Sequence, residues 1–368
     1  MANIKTINSS TLTKWLEEKQ KITILDIRPL SERNEWFIPN SIHVDVYDKL
    51  KSGNEKSLDD LQIDKQIPII TLCAGGKLSL FATEILSSKG FDAYSLEGGM
   101  KDWNYAFDTT SINFGTFKVI QVRRLAKGCL SYIIGSEKRA IVLDASLEPT
   151  IYKKIAEKEG WKIEFVSDTH IHADYVSRTK DLANFTGAKH LMNSQAMVSY
   201  SFIPLANNQI LNFGKLKIKV IHTAGHTWES TTFLINDQIL LTGDTLFTDG
   251  IGRPDLKANN EEVKKKSIAL FDSLKLIASF ADNTLILPAH ISQPIEFGQP
   301  FIHEKLGQLK KNIPTLSFEL DQFVESILLK LPPSPPNYLT IAEINKSGNI
   351  ADFIVADLEV GANRCAIK

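Results

Sequence analysis

Residues 162–175 read KIEFVSDTHIHADY. A short apolar run, Ile163 to Val166, gives way to Ser167-Asp168-Thr169 and then to the HxHxD sequence of His170, His172 and Asp174. The run reads as a buried strand, and the residues after it can ligate or orient a metal. Four more strand-like runs end the same way: Asp144 follows AIVL, His226 follows KIKVIHTAG, Asp244 follows ILLTG and His290 follows LILPA. Ligands borrowed from the ends of separate strands converge at one edge of a layered α/β fold, where loops can be shaped without disturbing the core. Imidazole and carboxylate without thiolate fit a catalytic zinc or iron site with open positions better than a closed structural zinc. The isolated histidines His43, His190 and His303 read as hydrogen-bonded core or surface residues. His222, four residues before His226, reads as strand structure.

Outward from this stretch the chain divides. Its 368 residues exceed what one hydrophobic core usually reaches. From about residue 111 strands arrive in quick succession, interrupted by helices over Pro149 to Lys158 and Glu261 to Phe280, the pattern of a layered α/β unit with mixed sheets over 112–316. The charged run Glu261 to Lys266 reads as a solvated helix face. Upstream, ITILDI (22–27) and PIITLC (68–73) suit strands of a parallel sheet. Leu78 to Lys89 follows with Leu78, Phe81, Ile85 and Leu86 on one helical face and Gly90 as its C-cap. This is an alternating α/β domain over 1–108. After Pro314 an amphipathic helix, Leu320 to Leu331, runs into Pro332-Pro333-Ser334-Pro335-Pro336, where regular helix cannot continue. Residues 317–368 read as an extension packed on the second domain or on a partner subunit, the latter making a homo-oligomer.

The chain carries 42 Lys and Arg against 43 Asp and Glu, interspersed, so it lacks the one-sided positive field that nucleic acid or an anionic membrane needs. A small-molecule substrate is expected. Neither a signal-peptide pattern nor an apolar run long enough to span a bilayer is present, which gives a soluble, cytoplasmic expectation. Three cysteines do not make a disulfide framework. Only Cys73 has a reactive setting: it ends a buried-type strand, and Ala74-Gly75-Gly76-Lys77-Leu78-Ser79 turns into a helix whose backbone N–H groups favour thiolate and an anionic persulfide. Cys129 and Cys365 read as structural.

HxHxD, AGHT (224–227), TGDTLF (242–247) and LPAH (287–290), in this order, resemble the metallo-β-lactamase superfamily over residues 112 to about 300. Gly243 to Phe247 and Gly250 to Leu256 resemble more narrowly the persulfide dioxygenases and glyoxalase II. The dinuclear hydrolases of the superfamily have HxHxDH, and Tyr175 stands where the last histidine helps to bind the second metal. A phenol is a poor substitute for imidazole, so the resemblance implies one metal. By analogy with the dioxygenases this is one Fe(II) per chain, held by His170, His226 and Asp244, with zinc as the alternative. His172, Asp174 and His290 would then orient ligands or serve as additional ones, and Asp144 would be a structural hydrogen-bond acceptor. Arg253, Tyr175 and Lys77 are the candidate substrate-binding residues, Arg253 through a carboxylate or phosphate of a thiol carrier or, equally, as a loop-anchoring ion pair. Glutathione-using relatives carry a tyrosine soon after the PAH histidine, whereas this chain has Ile291-Ser292-Gln293, which counts against glutathione persulfide.

The loop after Cys73 resembles the rhodanese active-site loop, and Leu25-Asp26-Ile27-Arg28, Ile38 to His43 and Leu96 to Trp103 extend that resemblance over most of residues 5–105. Rhodanese loops commonly carry arginine where this chain has Leu78, which leaves Lys77 as the loop cation. Together the two resemblances imply an N-terminal rhodanese-like domain followed by a metallo-β-lactamase αββα sandwich, with Cys73 catalytic. The implied activity is oxidation of a low-molecular-weight persulfide, carried by glutathione, coenzyme A or another thiol, to sulfite by O2, coupled to sulfur transfer. A metal-dependent thioester hydrolase and a sulfur-binding or sensing protein without turnover are the alternatives.

Overall fold

Alternation in the sequence decides which face of each strand is buried. Along Lys118–Arg124 and Leu130–Ser136, Val119, Leu130, Tyr132 and Ile134 point one way into a core, while Ile120, Val122 and Ile133 point the other way against helices. Sheets apolar on both faces must be covered on both, and here they are. The structure, a computed structural model, describes residues 4–256, 258–351 and 353–368.

A five-stranded parallel sheet orders Thr6–Ile7, Ala93–Leu96, Ile69–Leu72, Thr23–Asp26 and Ile42–His43. The Lys77–Ser88 helix packs on it, with Gly90 in the left-handed region just after its end, as the sequence indicates. The rest of the chain is a two-sheet sandwich. One sheet orders Ile203–Leu205, Lys189–Asn193, Lys162–Ser167, Arg139–Leu143, Leu130–Ser136, Lys118–Arg124 and Phe107–Asn113. The other orders Ile210–Phe213, Leu216–His222, Thr231–Ile235, Ile239–Gly243, Leu285–Pro288 and Glu304–Lys305. Leu143, Leu191 and Tyr132 meet Val220, Phe233 and Leu241 between the sheets. Helices Pro149–Lys158 and Thr179–Thr186 cover one outer face, and Asn260–Ala278 with Leu320–Leu329 cover the other. This is the αββα arrangement.

Three expectations change. Phe107 and Asp108 already pair with Arg124 and Arg123 in the sandwich, so the first unit ends at about residue 106 rather than 108. The run Glu261 to Lys266 is solvated only at Glu261, Lys264 and Lys265; Lys266 is buried, its ammonium on the carbonyls of His226 and Leu256. The C-terminal extension also touches both units instead of the second alone. Its Ala366–Ile367 strand pairs with Ile251–Gly252, its Glu359 carboxylate takes Arg124 at 2.6 Å, and Arg364 and Asp357 reach Glu35 and Lys101 of the first unit. The core runs through the junction as well: Trp36 and Trp103 pack with Leu125 and Leu130, and the Trp36 indole donates to the Leu125 carbonyl at 2.8 Å.

Candidate metal centre and sulfur site

The strand ends bring His170, His226 and Asp244 together, all buried, with one ligand atom of each within 4.8 Å of the others. The hydrogen bonds around them decide the tautomers. Thr169 Oγ1 lies 3.1 Å from both Asp144 carboxylate oxygens and donates its one proton there, so at 3.0 Å from His170 Nδ1 it accepts. The Nδ1 of His226 donates to the Arg253 carbonyl at 2.7 Å. Each imidazole therefore presents a bare Nε2, at 3.7 Å and 3.6 Å from Asp244 Oδ2. Burial lowers both histidines below their usual pKa, the neutral form a metal ligand needs. Burial would raise Asp244, but His290 and His170 hold it well below the carboxylate range. His170 Nε2 and Asp244 Oδ2 are buried without a hydrogen-bond partner. Buried polar atoms are rarely left so, and a cation coordinated by these three residues satisfies both. The residues fit a metal of the Zn or Fe class.

Next to this triad, His290 stands between two carboxylates. Its Nδ1 lies 2.6 Å from Asp244 Oδ1, and its Nε2 lies 2.8 Å from Asp174 Oδ2, close but not aligned as a hydrogen bond. Burial opposes protonation, yet Asp174 and Asp244 raise this imidazole well above its usual range. His172 donates Nε2–H to Asp144 Oδ1 at 3.0 Å, with Asp144 acting as the acceptor expected of it. Tyr175 is 1% exposed; its ring stacks on His172 and its hydroxyl contacts His172 Nε2 at 2.8 Å. It therefore supports His172 and has no face for substrate, contrary to the substrate-binding expectation. Arg253 requires a similar correction. Its guanidinium is 0% exposed, forks onto Asp255 at 2.7 and 2.8 Å, and donates to the carbonyls of Pro332, Pro333 and Arg364. Every donor direction is spent on the chain itself, and the anchoring role is the one observed.

Two features escape local reading. The helix Tyr338–Ser347 sends Asn345 under the metal loop, where its amide donates to the carbonyls of His172 and Tyr175 at 2.8 Å each. Cys129 and Cys365 are buried as expected of structural thiols, but they border the centre: Cys129 with Asp174 and His290, and Cys365 with Asp244 and His290, each group within 4.8 Å. Burial pushes both thiols above their usual range. Only the pairing of Cys129 against His290 and the path of the C-terminal segment bring them in.

In the first unit Cys73 is 3% exposed, and its sulfur receives the Gly76 N–H at 3.1 Å beside the start of the Lys77–Ser88 helix. A Cβ at Gly99 would lie 2.2 Å from the Cys73 carbonyl, and one at Gly76 2.7 Å from the Gly98 nitrogen, so glycine is required where the two loops touch. Lys77 is exposed at the first turn of the helix. A cavity of about 430 Å³ lies against Ala74 and Gly75 and is also lined by Trp36, Met100, Ala126 and Val360. His43, His222 and His303 bond backbone carbonyls.

Residues 9–106 match the rhodanese-like domain. Over the second unit, 159 residues are 30% identical to a hydroxyacylglutathione hydrolase of Prochlorococcus marinus, covering 41% of this chain and 60% of that protein. The mitochondrial persulfide dioxygenase of Mus musculus is 26% identical over 170 residues, 45% of this chain and 65% of that one. A metallo-β-lactamase structure from Staphylococcus aureus subsp. aureus COL superposes with TM-score 0.58 at 26% identity, over 64% of this chain and 74% of that chain. The protein thus joins a rhodanese-like domain to a unit of the metallo-β-lactamase fold. Similarity to hydroxyacylglutathione hydrolases and to a persulfide dioxygenase is what the sequence comparisons add to that fold. The chain spans about three fifths of the length of the curated relatives it matches. Among the described residues no helix is long and apolar enough to cross a membrane.

Proposed function

We propose that the protein is a persulfide dioxygenase with one Fe(II) per chain, coupled to rhodanese-type sulfur transfer at Cys73. The observation that carries this reading is the asymmetry of the centre. His170 Nε2, His226 Nε2 and Asp244 Oδ2 face one another bare, while at the neighbouring position the expected histidine is Tyr175 and His290 is held between Asp174 and Asp244. Two imidazoles and one carboxylate would hold an ion there and leave positions open for further ligands. Iron bound there would supply the oxygen chemistry; the same donors also accept zinc, the metal of the alternative reading.

The overall reaction converts one persulfide, one O2 and one water into the thiol, sulfite and two protons. The outer sulfur gives up the electrons that reduce O2, and the sulfur–sulfur bond breaks to leave the thiol. The chain keeps His172 oriented through Asp144 and Tyr175, and excludes bulk water by burying every member of the cluster. Cys73, whose sulfur receives the Gly76 N–H, would carry sulfane sulfur as a persulfide, and sulfite attacking its outer sulfur would yield thiosulfate and release the Cys73 thiolate. The substrates are accordingly a small persulfide and O2, in a cytoplasmic setting where free thiols persist.

The rival is a dinuclear thioester hydrolase, kept in view by the hydrolase relatives and by Asp174 and His290. Metal content after loading with excess Fe(II) or Zn(II) and desalting separates the two. One equivalent retained, lost in Asp244→Asn, and no cleavage of a glutathione thioester are expected. Two equivalents with thioester turnover would favour the hydrolase.

A further inference from the structure

One carboxylate of the C-terminal extension meets both units. We propose that Glu359 is a positioning residue for the two sites at once. One of its oxygens fixes the Tyr175–Val176 peptide of the metal loop, and the other, through Arg124, fixes the chain that lines the cavity on the Cys73 loop. This role is independent of which reaction the metal centre carries.

On the metal side, Glu359 is 1% exposed and its Oε1 accepts the Val176 N–H at 2.7 Å. The carbonyl of the same peptide, that of Tyr175, accepts from the Asn345 amide at 2.8 Å. Both polar groups of this peptide are therefore held by the C-terminal extension. With them is held the direction of the Tyr175 ring, which stacks on His172 and whose hydroxyl contacts His172 Nε2. Groups that orient the residues around a metal set how well it is retained.

On the sulfur side, Glu359 Oε2 takes the buried Arg124 guanidinium at 2.6 Å. That guanidinium lies over the Tyr105 ring and donates its Nε–H to the Asn104 carbonyl at 2.9 Å. Asn104 returns its side-chain amide to the Glu359 carbonyl at 3.3 Å. It also caps the short helix Gly99–Trp103, where the Met100 and Lys101 N–H groups bond the carbonyls of Cys73 and Ala74 at 2.9 and 3.0 Å. Asn104, Val360 and Gly361 line the cavity that lies against Ala74 and Gly75. Contacts thus run without a gap from the Cys73 carbonyl, through this helix, Asn104 and Glu359, to the ring beside His172. Contiguity alone does not establish coupling. Charge is what gives Glu359 its weight, because neutralising it leaves the Arg124 cation buried without its counter-charge. A glutamine in its place has a single oxygen for two donors, and its amino group faces whichever donor is left.

The test sets Glu359→Gln and Glu359→Ala beside Asp108→Asn. Asp108 is a buried carboxylate of the same kind, paired with Arg123 and accepting the Gly298 N–H at 2.8 Å, with its partners outside both sites. Two quantities are measured well below each protein's melting transition: Zn(II) retention in a chelator competition, and the rate at which iodoacetamide alkylates Cys73 in the metal-free protein, followed on the Cys73 peptide. Neither involves a persulfide or O2, so the outcome is separate from the dioxygenase reading. Both Glu359 variants should weaken Zn(II) retention roughly tenfold and speed Cys73 alkylation severalfold. Asp108→Asn should lower the melting temperature and leave both quantities unchanged. Glu359→Gln, which keeps the size of the side chain, carries the comparison if the alanine variant does not fold. A Glu359→Gln protein that keeps both quantities, or loses only one, overturns the joint role. An Asp108→Asn protein that shifts both overturns it too, since loss of any buried pair would then suffice.

Discussion

Arg253→Ala distinguishes an anchor from a substrate ligand. The wild-type guanidinium is fully buried, forks onto Asp255 and holds three carbonyls of the C-terminal extension. Truncation leaves a carboxylate that is 15% exposed, together with those carbonyls, without their partner. Removing one member of a buried pair typically costs about 3–5 kcal/mol. For a unit of this size each kcal/mol moves the melting temperature by about 2–4 °C, so a fall of about 6–20 °C is expected. His226 bonds the Arg253 backbone carbonyl, which the substitution keeps, so the metal ligand stays in place. The assay is thermal unfolding of the metal-loaded protein, with KM for a persulfide measured well below the transition. An unchanged melting temperature with a KM raised tenfold would refute the anchoring argument and return Arg253 to the substrate.

Cys73→Ser should abolish cyanide-dependent thiocyanate formation while oxygen uptake continues; unchanged turnover rules out Cys73 as the sulfur carrier. Asn345→Ala, by freeing the carbonyls of His172 and Tyr175, should weaken metal retention about 10- to 100-fold in a chelator competition, whereas equal affinity would mean that the helix merely rests on the loop. His190 is 9% exposed, and burial lowers it from 6.5 to about 4. The unfolded chain then binds the proton first, and the stability this group contributes is complete above about pH 6.5 and lost as pH falls toward 4. The difference is on the order of 3 kcal/mol, so His190→Gln should flatten the acid limb of urea unfolding; an identical limb contradicts the assignment.

What the sequence conveyed divides by the range of the interactions involved. His170, His226 and Asp244 each follow a strand whose apolar run is local, so their convergence at one edge could be anticipated, as could the Cys73 loop and the helix that begins at Lys77. Arg253 is ambiguous because, beside the neighbouring Asp255, its carbonyl partners lie 79 to 111 residues away, in a segment whose prolines say only that helix stops. Asn345, Glu359 and Cys365 carry no local signal at all. They matter because the chain returns across both units to the metal centre, and only tertiary pairing brings them there. The slip at residues 107 and 108 has the same origin, since strand register against Arg123 and Arg124 fixes that boundary.

The most direct test is oxygen uptake by anaerobically prepared, Fe(II)-loaded protein on addition of a persulfide, with sulfite measured alongside and His226→Ala run in parallel. One O2 consumed per sulfite formed, with both lost in the variant, is the predicted result. Absence of uptake with every persulfide, while a thioester is cleaved by the zinc-loaded protein, would contradict the dioxygenase assignment.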